Sequence, residues 1–169
     1  MPVTDKFSNI AHLAVSESAA TTLTFEKLGL GTGIFEKMAM IIHRIEYEPS
    51  AASFALLDVV GHEMAFAWTT SDQISGLAKD SAQVIDRVAW TIQTWGTMAN
   101  AEIINKPLIH DFSNLPSGGL IVPATDLYLA AIGTSLGSAT YCRSTIYFTY
   151  RSLKGDEFWE LVEATRALT

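Results

Sequence analysis

The residues with the clearest potential for chemistry form the pentapeptide Gly133-Thr-Ser-Leu-Gly137, which matches the G-x-S-x-G pattern of a nucleophile elbow. In such an elbow a sharp strand-to-helix turn presents the serine to a histidine base that comes later in the chain. All histidines of this sequence precede Ser135, and the residues after Gly137 alternate as in a strand. The pentapeptide is therefore predicted to be a glycine-rich hairpin.

Metal and phosphate sites would need residue spacings that this sequence lacks. Four histidines stand singly: His12, His43, His62 and His110. None belongs to an H-x-H or H-E-x-x-H pattern, and the glycine-rich segment 29–33 lacks the spacing of a phosphate-binding loop. His110 and Asp111 could form a catalytic dyad only with a nucleophile folded nearby. We therefore predict no cofactor, no metal and no catalytic residue, so the protein is not expected to be an enzyme.

Composition narrows the functional classes further. Of the 169 residues 49% are hydrophobic and only 17% are charged, and the formal net charge is −7. This acidic balance argues against broad nucleic-acid binding, and Lys6 and Lys27 are the basic residues within the first 35. The single cysteine, Cys142, excludes a disulfide scaffold and is predicted to be a small buried residue. The low charge predicts that neighbouring subunits cover part of the surface.

The elements that must position these residues are mostly strands. Residues 1–20 are small and polar and are predicted to form an extended N-terminal arm. Alternating residues separated by turn signals predict an all-β sandwich over residues 21–152. The tail, residues 153–169, is predicted to be helical because Asp156 is a good N-cap and an apolar helical stripe follows it.

One strand and one turn allow sharper predictions. In the strand 38–47, five residues are expected to face the core: Ala39, Ile41, His43, Ile45 and Tyr47. Pro49 is expected to end this strand, whereas the segment 50–60 could be a short helix or a loop. The segment 110–119 contains the clearest turn cluster of the chain.

Several segments, taken in order, carry a resemblance to a known family. They are the strands 41–49 and 64–72, the loop 111–120, the closing strands 126–150 and the tail 152–163. Together they resemble the single-jelly-roll capsid proteins of icosahedral viruses. The resemblance implies an eight-stranded jelly-roll sandwich with an extended N-terminal arm and a short C-terminal helix.

The same resemblance implies a function. It is that of a structural capsid protein that self-assembles through edge and loop contacts into an icosahedral shell. Such a protein would be made in the host cytoplasm and located in the virion, with further copies of itself and other capsid or vertex proteins as partners. Without a basic arm, strong nucleic-acid binding is not expected. No transmembrane segment is expected either, because the longest nearly apolar stretch, 120–132, is too short, although contact with an internal membrane stays open.

The candidate contact residues are large apolar side chains in loops, strand ends and the tail. Six are expected to contact neighbouring subunits: Trp95, Phe112, Leu115, Phe158, Trp159 and Leu161. The alternative function is that of a β-sandwich carbohydrate-binding module, which would use exposed tryptophan and tyrosine rings to stack on sugars.

Overall fold

The computed structural model describes residues 8–30, 37–78, 81, 83–91, 108–123 and 126–166. These residues form nine strands and two helices, in this order: β1 (Asn9–Ser16), β2 (Thr24–Leu28), β3 (Met38–Pro49), α1 (Ala51–Ala55), β4 (Glu63–Thr69), β5 (Val84–Thr91), β6 (Leu108–Asp111), β7 (Leu120–Pro123), β8 (Leu127–Thr134), β9 (Tyr141–Ser152) and α2 (Gly155–Arg166).

The strands pair antiparallel in two sheets. The first sheet has the order β1-β9-β3, and β6 and β7 pair one after the other with the remaining side of β3. The second sheet has the order β2-β8-β4-β5. The two sheets pack on one core, which confirms the all-β, sandwich-like fold class.

The core lies between the sheets and draws large side chains from both. The first sheet contributes Met40, Ile42, Ile45, Tyr47 and Ile146, among others. The second sheet contributes Met64, Phe66, Trp68, Leu127 and Leu129. Each fully buried side chain of this size stabilises the fold by about 1.5–3 kcal/mol relative to exposure, so these positions dominate the packing energy.

The prediction for the core face of β3 is correct after His43 and wrong before it. Ile42 lies opposite Phe148 and Arg44 opposite Tyr147, so His43 is an extra residue, a β-bulge. The bulge exchanges the two faces of the strand. Even-numbered residues therefore face the core before it, and odd-numbered residues face the core after it.

The N-terminal segment differs from the predicted arm. Asn9–Ser16 forms a regular strand that pairs with β9 along its whole length, so this part of residues 1–20 belongs to the sandwich. Its inward residues, which include Leu13 and Val15, are apolar and pack on the core. The small and polar residues that surround this strand hid the alternation, because such residues are also typical of extended termini.

Connecting segments cover part of both outer faces of the sandwich. On the second sheet, Leu77 from the β4–β5 connection is buried with Ala65, Ala67 and Ala130. On the first sheet, α2 contacts β7, and Leu153 N–H donates to Lys37 O at 2.9 Å just before the helix. The predicted helical tail is present from residue 155 to residue 166, but Asp156 lies in the first turn of the helix and is not its N-cap.

Candidate functional site

Two of the six predicted contact residues lie in a turn, and a third, Trp95, lies outside the described residues. Phe112 and Leu115 lie in the turn between β6 and β7, where Phe112 packs against the core and Leu115 is 40% exposed. Leu115 is therefore accessible to a partner, whereas Phe112 is used partly inside the subunit.

The other three predicted contact residues lie on α2. Phe158 is 2% exposed and packs within the subunit, while its neighbour Trp159 is 52% exposed. Leu161 is half-buried. The helix therefore presents Trp159 to the surroundings and uses Phe158 to hold itself on the sandwich, as the apolar stripe predicts.

Five further large apolar side chains are exposed: Ile10, Val59, Val60, Leu108 and Ile109. None of the five was predicted from the sequence to be a surface residue. A signal was available for Leu108 and Ile109, because consecutive residues of a strand point to opposite sides and cannot both reach one core. Val59 and Val60 lie in a turn before β4, where alternation gives no such signal.

Three of the exposed apolar side chains lie on one edge of the first sheet, here called the β6–β7 edge and defined by Leu108 and Ile109 of β6 and Leu115 of the following turn. A fourth, Trp159, lies on α2, which contacts β7. An edge that carries several exposed apolar side chains is suited to contact with another protein surface.

His110 pairs with Asp86 and not with its sequence neighbour Asp111. Its Nδ1 lies 2.7 and 2.8 Å from the two carboxylate oxygens of Asp86 on β5, so the pair links the edges of the two sheets. Tyr47 OH donates to Asp86 O at 3.2 Å beside it. Among the described residues, no hydrogen bond connects this pair to a serine, threonine or cysteine side chain. The arrangement ties β5 to β6.

Asp111, the sequence neighbour of His110, forms hydrogen bonds within its own turn. Its carboxylate accepts hydrogen bonds from the Ser113 hydroxyl and from Ser113 N–H, the latter at 2.8 Å. These two bonds hold the pKa of Asp111 below its usual value. Asp111 therefore shapes the start of the turn between β6 and β7.

The bulge residue His43 connects three parts of the first sheet. Its Nδ1 lies 2.8 Å from Gly118 O, its Nε2 lies 3.0 Å from Thr149 Oγ1, and its carbonyl accepts from Phe112 N–H at 2.8 Å. The end of this turn lies so close to β3 that position 119 has no room for a side chain, since a Cβ on Gly119 would lie 2.6 Å from Ile41 Cγ2. His43 thus positions the turn that carries Leu115.

The G-x-S-x-G segment forms the connection from β8 to β9, but the predicted hairpin is wrong, because β8 belongs to the second sheet and β9 to the first, and the two strands do not pair with each other. Gly133 N–H donates to the buried carboxylate of Glu17 at 2.7 Å. Thr140 N–H and Thr140 Oγ1 donate to the same carboxylate, also at 2.7 Å. Ser135 has a positive φ of 59° in the tight turn. Glu17 therefore holds this connection against the end of β1.

A depression of about 500 Å³ lies on the outer side of the first sheet. His12 Nδ1 hydrogen-bonds with Thr145 Oγ1 at 2.9 Å, and Arg143 Nε donates to the Tyr141 hydroxyl at 3.0 Å. Glu48 also lines the depression. Its polar side chains thus largely pair with neighbours on the same sheet.

Neither a metal-binding cluster nor a membrane-spanning helix occurs in the described ranges. No three histidine, cysteine or acidic side chains come together there in a way that could hold an ion. No helix in that part of the chain is long and apolar enough to cross a bilayer.

Comparison with known proteins leaves the chain without an assigned family. No protein-family model matches the chain, and no curated protein is significantly similar to it in sequence.

Proposed function

We propose that this protein is a single-jelly-roll capsid subunit that self-assembles into an icosahedral shell. The strand order is the observation that carries the proposal. A jelly roll winds eight strands into two four-stranded sheets with the orders 1-8-3-6 and 2-7-4-5. With β6 and β7 counted as one interrupted strand, the orders here are β1-β9-β3-β6/β7 and β2-β8-β4-β5, which correspond to those two sequences of strands.

Counting β6 and β7 as one strand has a local justification. Both run antiparallel to β3, with β6 opposite residues 44–47 and β7 opposite residues 39–42. The interruption falls opposite His43, where the bulge and its bonds to Phe112 and Gly118 hold the intervening turn. The strands on either side of the turn, β6 and β7, therefore pair with consecutive parts of the same edge of β3.

The distribution of apolar surface supports self-association as the function. Only 17% of the residues are charged, and the exposed apolar side chains of the β6–β7 edge remain after both sheets have filled their core. A shell subunit must bury different patches of its surface on several neighbours. An edge and a turn that present apolar side chains would supply one of these patches.

Assembly of the full chain tests the proposal. We expect wild-type protein to form particles of uniform diameter, visible by negative-stain microscopy and eluting ahead of the monomer by size-exclusion chromatography with light scattering. Protein that stays monomeric at all concentrations and salt conditions, with its fold intact by circular dichroism, would overturn it. Glycan binding that is lost in Trp159→Ala, without particles, would also overturn it and support the carbohydrate-binding alternative.

A pair of variants in one turn tests whether the apolar edge takes part. Leu115→Asp should lower the particle yield, because it places a charge where an exposed apolar side chain would be buried on a neighbour. Asn114→Asp adds the same charge at the adjacent exposed position and should assemble as the wild type does. Equal particle yields from the two variants would show that the β6–β7 edge is not an assembly contact.

A further inference from the structure

We propose that the outer edge of β1 pairs antiparallel with the β1 edge of a second copy of this chain. The inference rests on the proposed assembly function and names one of its contacts. β1 ends the strand order of the first sheet and pairs with β9 on one side. Within the described residues, no strand pairs with its other side. Pairing there would join the first sheets of two copies into one continuous sheet.

The other sheet edges carry the features that proteins use to block such pairing. β2 has two charged residues, and Lys27 forms an ion pair with Asp126 at 2.6 Å. β5 has Asp86 and Arg87, and the short strand β6 ends in Asp111. Charges and short length are typical of edges that must stay unpaired.

β1 lacks these features. Its eight residues, Asn9 to Ser16, include no aspartate, glutamate, lysine, arginine or proline. Ile10 is 55% exposed on this strand. A long, neutral edge strand with an exposed apolar side chain is a ready template for strand addition.

The sequence of β1 suits a second copy as the occupant. In an antiparallel pair centred on Leu13, the two Leu13 residues face each other and Ala11 faces Val15 on the inner side. On the outer side His12 faces Ala14. No formal charges meet along the strand. This matters because each copy carries a formal net charge of −7, so two copies can approach most easily where neither is charged.

A charge-swap experiment tests the contact. His12 is exposed, and in the register centred on Leu13 the His12 residues of the two copies would lie one diagonal apart, within about 8 Å. His12→Lys and His12→Glu should each weaken association by about tenfold, because two like charges then lie at diagonal positions of the same face. An equimolar mixture of the two variants should associate as the wild type does. The measurement is sedimentation velocity over a concentration series.

The neutral variant His12→Gln serves as the matched control, because it removes the same imidazole without adding charge. We expect it to associate as the wild type does. Thermal melts of all variants check that each is folded, so that a loss of association reports the interface.

The outcomes separate this contact from the proposed function. Particles that form equally well in every variant would overturn β1 pairing and leave the capsid function standing. A mixture that associates no better than either charged variant alone would also overturn it. Dimers that respond to the charge swap, without particles, would support β1 pairing and overturn the shell. Wild-type protein that is monomeric throughout would overturn both.

Discussion

Trp68 of β4 and Ser144 of β9 are hydrogen-bonded across the sandwich, with indole Nε1 donating to Ser144 Oγ at 2.8 Å. The same hydroxyl donates to Glu46 O at 2.7 Å. Both side chains are almost completely buried. One serine thus satisfies the indole N–H of the largest core side chain and a backbone carbonyl, and it links the two sheets without water.

Ser144→Ala is expected to destabilise the protein by about 1–3 kcal/mol, because the buried Trp68 N–H loses its acceptor. Urea unfolding followed by tryptophan fluorescence and circular dichroism gives the free energy of unfolding. Trp68→Phe and the double variant complete a cycle. A coupling free energy near zero would contradict a direct bond between the two sheets.

Glu17→Ala should lower the free energy of unfolding by about 3 kcal/mol or more, because three donors from Gly133 and Thr140 lose their buried acceptor. Glu17 is 4% exposed, so water does not replace the carboxylate readily. Exposed Glu26→Ala is the control and should change the free energy of unfolding little. Equal effects of the two substitutions in chemical denaturation would show that the Glu17 contacts contribute nothing.

Gly119→Ala is expected to destabilise the fold by about 1–3 kcal/mol, because the new methyl group would lie 2.6 Å from Ile41 Cγ2 and 2.7 Å from Ile42 O. Gly137→Ala is the matched control, since a Cβ there meets nothing within 4 Å. It should be neutral or slightly stabilising. Thermal unfolding compares the stability of the two variants. A Gly119→Ala protein as stable as Gly137→Ala would rule out the close approach of the turn to the bulge.

Cys142 should resist alkylation in the folded protein at pH 9, because burial raises the pKa of its thiol to about 12. The unfolded thiol ionises near its usual value of 9.0. The contribution of the protonated thiol to stability is therefore complete below pH 9 and is lost as the pH rises to about 12. The free energy of unfolding of wild type should fall relative to Cys142→Ala over this range. Rapid labelling by iodoacetamide under native conditions would contradict the burial.

Sequence alone determined most elements of the sandwich, because alternation, turn residues and helix stripes are local signals. Strands and the helix were predicted near their observed bounds for β3, β4, β8, β9 and α2. The turn after His110 was predicted too. The hairpin predicted at Gly133 is instead a connection between the two sheets, because β8 and β9 pair with different strands. Of the residues predicted to contact neighbouring subunits, Leu115 and Trp159 are exposed, whereas Phe158 is buried within the subunit.

Only the tertiary structure decided which residues meet across the fold. The bulge at His43 reversed the faces of β3, since one extra residue shifts a period of two. His110 found Asp86 on the other sheet instead of its neighbour Asp111, because adjacent strand residues point to opposite faces. The edge exposed by β1 likewise depends on sheet order. Such relationships depend on pairing between residues distant in sequence, and local patterns carry no record of which distant strand each one will join.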